Sequence, residues 1–248
     1  MTVCKLEKPL RRFTLPSAVL FDLGNTLARY YSSDEFQPIL ERAVDSVIAE
    51  LGARGVATVD RATALVAAGA ENREASDFRV TPMGERLARV FGLAPDDSAA
   101  IEALCERFLE PIFAIARVYD DVVPVLTQLR DAGFRTAIVS NAPWGSPSAP
   151  WRREIERLGL SSLVDATVMC GDVGWRKPAR QIFLHAAGEL GVDCRQCVFV
   201  GDDLRWDIEG SKAVGMRPVL IDRDDRHRGF RGDRIRDLRG VLRYCGGA

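Results

Sequence analysis

Five short apolar segments, most of them separated by amphipathic ones, constrain the fold of this chain more than any other feature. The apolar segments are residues 18–21, 136–139, 166–169, 198–200 and 219–221. Helical patterns lie between most of them, at residues 122–131, 151–158, 179–190 and 204–214. Because strands that alternate with helices form a parallel sheet covered on both faces, the sequence predicts an α/β fold with a doubly wound parallel sheet.

The segment between residues 28 and 119 breaks this alternation. It contains no pattern typical of a strand, and amphipathic patterns predict helices at residues 36–51, 60–78, 82–91 and 96–113. Thr81 is the expected N-cap of the third helix, with Pro82 at its first helical position. We therefore expect an α/β core domain at residues 16–28 and 119–248, with a helical subdomain at residues 29–118 inserted after the first strand.

Polar residues directly follow three of the predicted strands. Asp22 ends the first apolar segment, Ser140 and Asn141 follow the second, and Asp202 comes just after residues 198–200. In open α/β sheets, ligands bind beyond the carboxyl ends of the strands, so we expect these side chains to meet at one edge. Each is also an ordinary turn residue, so none by itself distinguishes a turn from a functional site.

Two further features suit a phosphate group or a metal ion. Lys177 precedes Pro178, which is expected in the first turn of a helix, and a lysine there either provides a point charge for phosphate or lies on the surface. Asp207 lies one turn into the helix that follows Asp202, and Mg²⁺ prefers carboxylate oxygens. Asp203 is the expected N-cap of that helix rather than a metal ligand.

Taken in their order along the chain, these motifs resemble those of the haloacid dehalogenase superfamily. They are D-x-x-x-T at residues 22–26, S-N at 140–141, K-P at 177–178 and G-D-x-x-x-x-D at 201–207. The match covers the strand–helix body from residue 18 to residue 222, and the inserted helices resemble the all-helical cap of the first type in that superfamily. The resemblance implies a Rossmann-like core with an inserted helical cap subdomain.

The resemblance also implies hydrolysis of small phosphomonoesters. Asp22 would attack phosphorus and form an aspartyl phosphate, since an ionised carboxylate is a recognised nucleophile for phosphoryl groups. The residues expected to bind the substrate phosphate are Ser140, Asn141 and Lys177. The residues expected to hold Mg²⁺ are Asp22, Gly24 through its carbonyl, Asp202 and Asp207. The expected partner is a small phosphorylated metabolite.

Gly24 departs from the family pattern, which has a second Asp two residues after the nucleophile. In many phosphatases of the family that Asp is the general acid and base, and such catalysis typically contributes about 10²–10⁴-fold in rate. Its loss would slow turnover without abolishing it, and good leaving groups would suffer least. Asn25, a metal-bound water or a cap residue are the alternative sources of the proton.

Three other functions stay open on the sequence. A haloacid dehalogenase of the same superfamily also lacks the second Asp and needs no metal, although Asp202 and Asp207 would repel Asp22 without a cation. Such dehalogenases usually carry an aromatic residue where this chain has Gly24. The second alternative is a catalytically silent phosphate-binding or regulatory module, and the third is a phosphomutase.

No motif specifies the substrate, so sugar phosphates, nucleotides and phosphoglycolate all remain open. Arg29 leads from the first motif into the predicted cap and is a candidate partner for a substrate anion, as is Arg79 within the cap. Trp144 follows Ser140 in a long Pro/Gly/Ser loop, where it either contacts the substrate or packs under the cap.

Composition excludes several classes of partner. The net charge of −1 lacks the positive field that attracts nucleic acids or anionic membranes. No apolar segment approaches the roughly 20 residues of a membrane span, and residues 1–13 lack a signal-peptide pattern. Six scattered cysteines do not form a disulfide framework, so we expect a cytoplasmic protein with neither nucleic-acid nor membrane partners.

The remaining features predict structural roles. Cys194 and Cys197 have redox spacing but no second ligand pair, so we expect them to be structural. His185 and His227 are the only histidines and are far apart in sequence, which argues against a histidine-dependent mechanism. The charge-dense stretch at residues 223–240 is expected to be a solvated surface segment.

Overall fold

The computed structural model describes residues 16–93 and 98–246. The strands are β1 (Ala18–Phe21), β2 (Ala28–Arg29), β3 (Arg117–Val118), β4 (Arg135–Ser140), β5 (Ala166–Met169), β6 (Cys197–Gly201), β7 (Arg217–Ile221) and β8 (Arg234–Ile235). Six of them form one parallel sheet in the order β5-β4-β1-β6-β7-β8, and β2 and β3 form a separate antiparallel pair. The predicted α/β class with a parallel sheet is confirmed.

Helices connect the strands of the sheet. They are α1 (Phe36–Ala53), α2 (Arg61–Glu71), α3 (Met83–Phe91), α4 (Ser98–Phe113), α5 (Val122–Asp131), α6 (Ser148–Arg157), α7 (Cys170–Val173), α8 (Arg180–Glu189) and α9 (Gly210–Ala213). A π-helical segment, Leu204–Glu209, runs directly into α9. Short 3₁₀ turns occur at Ser33–Glu35, Pro143–Gly145, Ser161–Leu163, Cys194–Gln196 and Leu238–Tyr244.

The central position of β1 explains its unbroken apolar sequence. β1 pairs with β4 on one side and β6 on the other, and all four of its residues are 0% exposed. A strand buried on both faces of a parallel sheet has no solvent side and therefore shows no alternation of polar and apolar residues. The strands β1 and β5 have the predicted bounds, and β4, β6 and β7 extend one or two residues further at an end.

The helices α1–α4 lie between β2 and β3, and we call residues 30–116 the helical insert. Ala28 pairs with Val118 across the antiparallel strands, and the N–H of Tyr119 donates to the carbonyl of Leu27 at 3.2 Å. The chain therefore leaves the core and returns to it at one place. The sequence predicts no strand at β2 or β3, because two residues are too few to show a period.

A second contact joins the insert to the core. The N–H of Val80 donates to the carbonyl of Gly174 at 3.1 Å, and the N–H of Arg176 donates to the carbonyl of Phe78 at 2.9 Å. Gly145 lies against the same insert loop, where an added Cβ would come within 2.1 Å of the carbonyl oxygen of Thr81. The loop between α2 and α3 is thus packed closely on the loop that leads to Lys177.

Three local predictions are wrong. Pro82 is the N-cap of α3 rather than its first residue, and the predicted helix at residues 60–78 ends at Glu71, although its start is nearly right because Asp60 is the N-cap. Pro178 does not lie in the first turn of a helix. The carbonyl of Arg176 accepts from the N–H of Ala179 at 2.9 Å, which closes a turn before α8 begins at Arg180.

The charged stretch at residues 223–240 is solvated only in part, which corrects the prediction of a surface segment. It contains β8, which the sequence did not predict, and Ile235 and Leu238 are buried. Arg234 forms an ion pair with the buried Asp222 at 3.0 Å. An arginine of this charged stretch therefore pairs with a buried carboxylate, and composition alone does not distinguish such a residue from one that is exposed to solvent. No described helix is long and apolar enough to span a membrane.

Candidate active site

Asp22 lies at the carboxyl edge of the sheet, directly after β1. Its N–H donates to the carbonyl of Val200 on β6 at 2.9 Å, which extends the strand pairing by one residue. On the other side, the Oγ of Ser140 at the end of β4 lies 3.4 Å from the Oδ1 of Asp22. Asp22 is 7% exposed and Ser140 is 4% exposed. The structure thus brings together the strand ends that the sequence selects.

Lys177 forms the central ion pair of the site. Its Nζ donates to the Oδ1 of Asp22 at 2.5 Å and to the Oδ1 of Asp207 at 2.6 Å, and its side chain is 2% exposed. Burial by itself lowers the pKa of a lysine, but the charges of Asp207 and Asp22 outweigh it, so the pKa of Lys177 is raised. The ammonium group therefore stays charged, and Lys177 is not a surface lysine.

The side chain of Asn141 holds the loop that carries Lys177. Its Oδ1 accepts from the N–H of Lys177 at 2.8 Å, and its Nδ2 donates to the carbonyl of Lys177 at 3.2 Å. The sequence predicts phosphate binding by Asn141, and in the structure the amide is instead bound to the main chain of Lys177. Phosphate binding by Asn141 stays a prediction.

Three carboxylates cluster near this one ammonium group, which contacts two of them directly. Asp22, Asp202 and Asp207 offer oxygens that all lie within 4.8 Å of one another. Burial, followed by the charges of Asp22 and Asp207, raises the pKa of Asp202. Burial also raises the pKa of Asp207, although Lys177 opposes it. With all three carboxyls ionised, the cluster would carry more negative charge than Lys177 neutralises, and a divalent cation bound by these oxygens would remove the excess.

Local sequence explains how Asp207 reaches the cluster. A Cβ at Gly201, the last residue of β6, would come within 2.3 Å of the carboxyl group of Asp207. Only glycine leaves room for this carboxylate beside the strand. Asp203 caps the following helical segment, where its Oδ1 accepts from the N–H groups of Arg205 and Trp206 at 2.8 and 2.7 Å. This is the role that the sequence predicts for Asp203.

A cavity of about 1070 Å³ opens above these residues. The predicted site residues that line it are Asp22, Gly24, Arg29, Ser140, Asn141, Trp144, Lys177, Asp202 and Asp207. These nine residues therefore face one space. Arg79 does not line this cavity and instead stacks on the ring of Trp175 at 4.3 Å, so the structure does not support it as a substrate ligand.

Trp144 packs under the helical insert. Its ring centroid lies 4.8 Å from that of Phe108 on α4, and Trp144 is 5% exposed. Its φ of 57° is in the left-handed region, an unusual conformation for a tryptophan. The structure therefore supports the packing alternative for Trp144, and the same residue also contributes to the cavity wall.

Arg29 is already paired within the protein. Its Nη2 donates to both carboxylate oxygens of Glu35 at 3.0 Å, and the pair is exposed to solvent. An exposed pair of this kind contributes about 0–1 kcal/mol and can open when a ligand binds. A role for Arg29 in substrate binding stays a prediction.

Other cavity residues have no motif in the sequence. The arginines among them are Arg73, Arg86, Arg176, Arg223 and Arg226, and the remaining charged or aromatic ones include Tyr30, Glu74, Trp206 and His227. Arg73, Glu74 and Arg86 belong to the insert and Arg223, Arg226 and His227 to the segment after β7, all of them outside the four motifs. Tyr30, Arg176 and Trp206 lie beside or within the motif segments, but the motifs assign them no role. The sequence shows only that several of them are charged, and their place in the cavity is known only from the fold.

The cysteines that the structure describes and His185 lie outside this cavity. Cys194 and Cys197 are free and buried, and burial raises the pKa of both thiols, that of Cys197 to about 12. A thiol with a raised pKa is a poor nucleophile and a poor metal ligand at neutral pH. His185 lies on the outside of α8, where its Nε2 is 3.8 Å from Glu189. These positions agree with the structural roles expected for them.

The matched family decides the identity of this site. A family model described as haloacid dehalogenase-like hydrolase matches residues 16–215, which include all four motifs. The chain belongs to this family. The predicted membership in the haloacid dehalogenase superfamily is confirmed, and with it the prediction of a hydrolase.

Two similar proteins of this family are named phosphatases. The glyceraldehyde 3-phosphate phosphatase of Methanopyrus kandleri is 34% identical over 167 residues, which are 63% of this chain and 70% of that protein. The ribulose-1,5-bisphosphate 5-phosphatase of Halopiger xanaduensis is 31% identical over 218 residues, which are 84% of this chain and 85% of that protein.

Solved structures of haloacid dehalogenase-like proteins have the same fold. The crystal structure of a HAD phosphatase from Thermococcus onnurineus is 28% identical, with a TM-score of 0.67, and the match covers 93% of this chain and 98% of that one. A 2-haloacid dehalogenase from Pseudomonas syringae is 21% identical, with a TM-score of 0.65 over 92% of this chain and 97% of that one. At this identity the second match shows the fold alone.

Proposed function

We propose that this hydrolase removes the phosphoryl group from small phosphorylated metabolites, with Asp22 as nucleophile and Mg²⁺ as cofactor. The observation that carries the proposal is the buried cluster in which Lys177 lies 2.5 Å from Asp22 and 2.6 Å from Asp207, with Asp202 beside them. The similar proteins named phosphatases, which include a phosphoglycolate phosphatase of Xanthomonas campestris at 31% identity over 82% of this chain, support the same reaction class.

The chain's own groups suit an in-line displacement at phosphorus. An oxygen of the Asp22 carboxylate forms a bond to phosphorus, the bond between phosphorus and the ester oxygen breaks, and the ester oxygen takes up a proton from water and leaves as the alcohol. The ammonium of Lys177 and the hydroxyl of Ser140 both lie against Oδ1 of Asp22, where they would bind phosphoryl oxygens. Water then attacks the acyl phosphate, which releases inorganic phosphate and restores Asp22.

The acidic cluster fits a hard divalent cation. The carboxylates of Asp22, Asp202 and Asp207 would hold Mg²⁺, and the carbonyl of Gly24 is a further expected ligand. When bound, Mg²⁺ supplies positive charge that offsets the phosphoryl oxygens and the crowded carboxylates. Without that charge, repulsion within the cluster would oppose the approach of a dianionic substrate.

The two parts of the chain have separate tasks in this proposal. Residues 16–28 and 119–248 form the core domain that carries the reacting groups, and residues 29–118 form a helical cap of the first type. The cap covers the cavity and, when it opens and closes, admits the substrate and excludes water. The free buried cysteines are those of a reducing compartment, which supports a cytoplasmic location.

The test is hydrolysis of p-nitrophenyl phosphate and of a panel of phosphomonoesters, each with Mg²⁺ and with EDTA. We expect release of phosphate that needs Mg²⁺ and that disappears in Asp22→Asn. Equal rates for the wild type and Asp22→Asn would overturn the proposal. Binding of phosphate without any turnover would instead favour the silent module, and metal-independent halide release from a 2-haloacid would favour the dehalogenase.

A further inference from the structure

Six arginines line the cavity, and five of them are bound to acceptors within the protein. Arg29 pairs with Glu35, Arg176 with Glu74 at 3.4 Å, Arg223 with Asp121 at 2.9 Å, and Arg226 with Asp224 at 2.8 Å. Arg86 donates to the main-chain carbonyls of Glu71, Arg73 and Thr81. These five guanidinium groups therefore have structural partners.

Arg73 is the sixth, and its side chain is exposed. Within residues 16–93 and 98–246, it has neither an ion pair nor a side-chain hydrogen bond. Glu71, the acid near it, is bound by Arg89 through two hydrogen bonds of 3.0 and 2.9 Å. Arg73 is thus a cation on the cavity wall that no described carboxylate contacts directly; Glu71 is close enough for the Arg73 charge to contribute to its lowered pKa, but its carboxylate is bound by Arg89.

The main chain of Arg73 is held in place. Its carbonyl accepts from Nη2 of Arg86 at 2.9 Å, and its N–H donates to the carbonyl of Glu71 at 2.7 Å. Arg86 is 5% exposed. Its buried guanidinium therefore fixes the loop that carries the exposed side chain of Arg73. A loop fixed in this way loses less conformational entropy when its side chain binds a ligand.

Resting on the proposed function, we propose that Arg73 binds a second anionic group of the substrate and so selects phosphorylated carboxylic acids or bisphosphates. The group being removed meets Asp22, Ser140 and Lys177, which are at most 7% exposed. Arg73 lines the same cavity and is exposed, so it would meet the remainder of the substrate. A guanidinium binds carboxylate and phosphate through paired hydrogen bonds, so either anion suits it.

The experiment compares substrates that differ only in the second anion. Phosphoglycolate is paired with hydroxyethyl phosphate, and fructose 1,6-bisphosphate with fructose 6-phosphate, in the wild type, Arg73→Ala and Arg73→Lys. The matched control is Arg42→Ala, an exposed arginine on α1 outside the cavity. We measure kcat/KM with Mg²⁺, and in the Asp22→Asn background we measure the Kd of each compound by calorimetry.

In at least one pair, we expect the wild type to have a kcat/KM about tenfold or more higher for the compound with the second anion. This is the effect of one or two charge-assisted hydrogen bonds. Arg73→Ala should remove most of this preference, Arg73→Lys should keep part of it, and Arg42→Ala should keep all of it. The carboxylate and bisphosphate pairs show which anion Arg73 selects.

Two results would overturn the inference: a wild type without preference in either pair, or an Arg73→Ala variant that weakens both members of each pair equally. The second result would mean that Arg73 binds the phosphoryl group being removed. If the wild type hydrolysed no phosphomonoester, the proposed function would fail, and the Kd ratios would still decide the role of Arg73.

Discussion

The Nζ of Lys177 lies 2.5 Å from Oδ1 of Asp22, although 155 residues separate the two along the chain. The same Nζ lies 2.6 Å from Oδ1 of Asp207. One buried cation therefore compensates two buried carboxylates, and Asp202 adds a third that Lys177 does not contact directly. Both the stability and the chemistry of the site depend on this imbalance, and the following predictions test it.

Removal of the ammonium should destabilise the fold. In Lys177→Met, Asp22 and Asp207 lose their partner, and breaking a buried pair in this way typically costs about 3–5 kcal/mol. We expect a lower free energy of unfolding in urea at neutral pH with EDTA present, together with loss of phosphatase activity. The control is Lys212→Met, an exposed lysine on α9, which should leave both unchanged. Equal stability of the two variants would contradict the buried pair.

Asp202 should make the metal-free protein less stable as the pH rises. Its pKa is raised in the folded state by burial and by the charges of Asp22 and Asp207. At a pH above the pKa of the unfolded state, the folded protein therefore still holds a proton that the unfolded protein has lost. This contribution to stability is therefore full at acid pH and is lost as the pH rises through the folded pKa. Asp202→Asn cannot lose that proton.

We therefore expect Asp202→Asn to gain stability relative to the wild type as the pH rises from about 4 to 8 in EDTA, where the unfolded carboxyl has its usual pKa near 4. Urea unfolding at several pH values measures this difference. The control is Asp131→Asn, which replaces an acid whose side chain is 69% exposed and lies outside the carboxylate cluster. A difference for Asp202→Asn that does not change with pH would contradict the raised pKa of Asp202.

Mg²⁺ should stabilise the folded protein independently of turnover. A ligand that binds only the folded state at 100 times its Kd adds about 2.7 kcal/mol, and here it would also relieve the repulsion among Asp22, Asp202 and Asp207. We expect a higher Tm with Mg²⁺ than with EDTA, and a smaller difference in Asp202→Asn. A Tm that does not respond to Mg²⁺ in the wild type would argue against the metal site.

Gly24→Asp should increase turnover. A Cβ at Gly24 meets no atom within 4 Å, and the φ of Gly24 is not in the left-handed region, so the new carboxyl group has room. A general acid there would protonate the leaving oxygen, a contribution of about 10²–10⁴-fold in suitable geometry. We expect the largest rise in kcat for alkyl phosphates, whose leaving groups are poor.

Gly24→Asn is the matched control for that variant, because it has nearly the same shape and no acidic proton. Comparable rates for Gly24→Asp and Gly24→Asn on alkyl phosphates would mean that proton transfer does not limit the reaction at this position. A rise only in Gly24→Asp would show that residue 24 is where the missing proton donor belongs.

Gly201→Ala should disrupt the site from the end of β6. The added methyl group would lie 2.3 Å from the carboxyl carbon of Asp207, so Asp207 would have to move away from Lys177. We expect a loss of activity and a drop in Tm. Gly188→Ala on α8 is the control, because its Cβ meets nothing within 4 Å and alanine favours a helix by about 1 kcal/mol. Similar effects of the two substitutions would contradict the close contact.

Much of the fold could be predicted from local patterns. A strand buried on both faces must be apolar along its whole length, so β1 is predicted with its observed bounds. The bounds of β5 are also predicted correctly, although this edge strand is only partly buried. The short strands β2, β3 and β8 could not be predicted, because each has two residues and depends on pairing with distant segments. The turn at Pro178 could not be predicted either, because the main chain of Arg176 and Lys177 is held by Phe78 and Asn141, which are distant in sequence.

For the site, sequence order and residue type were sufficient to identify Asp22, Ser140, Lys177, Asp202 and Asp207 as one group. A polar residue after a buried strand is exceptional, and parallel strands end at a common edge, so their spacing along the chain does not matter. The role of Asn141 was not predictable, since an amide is suited equally to phosphate and to main chain.

Local sequence therefore specifies the strands, the helices and the reacting groups, because each depends on residues that are adjacent in the chain or share a sheet edge. Tertiary packing alone determines which charges are left without a partner. Arg29, Arg176 and Arg226 are as basic as Arg73 in the sequence, but the fold places a carboxylate within ion-pair distance of each of them, and no carboxylate of residues 16–93 and 98–246 lies that close to Arg73. Ion pairs form only between groups a few ångströms apart, and the number of residues between two groups in the sequence does not give their distance in the fold.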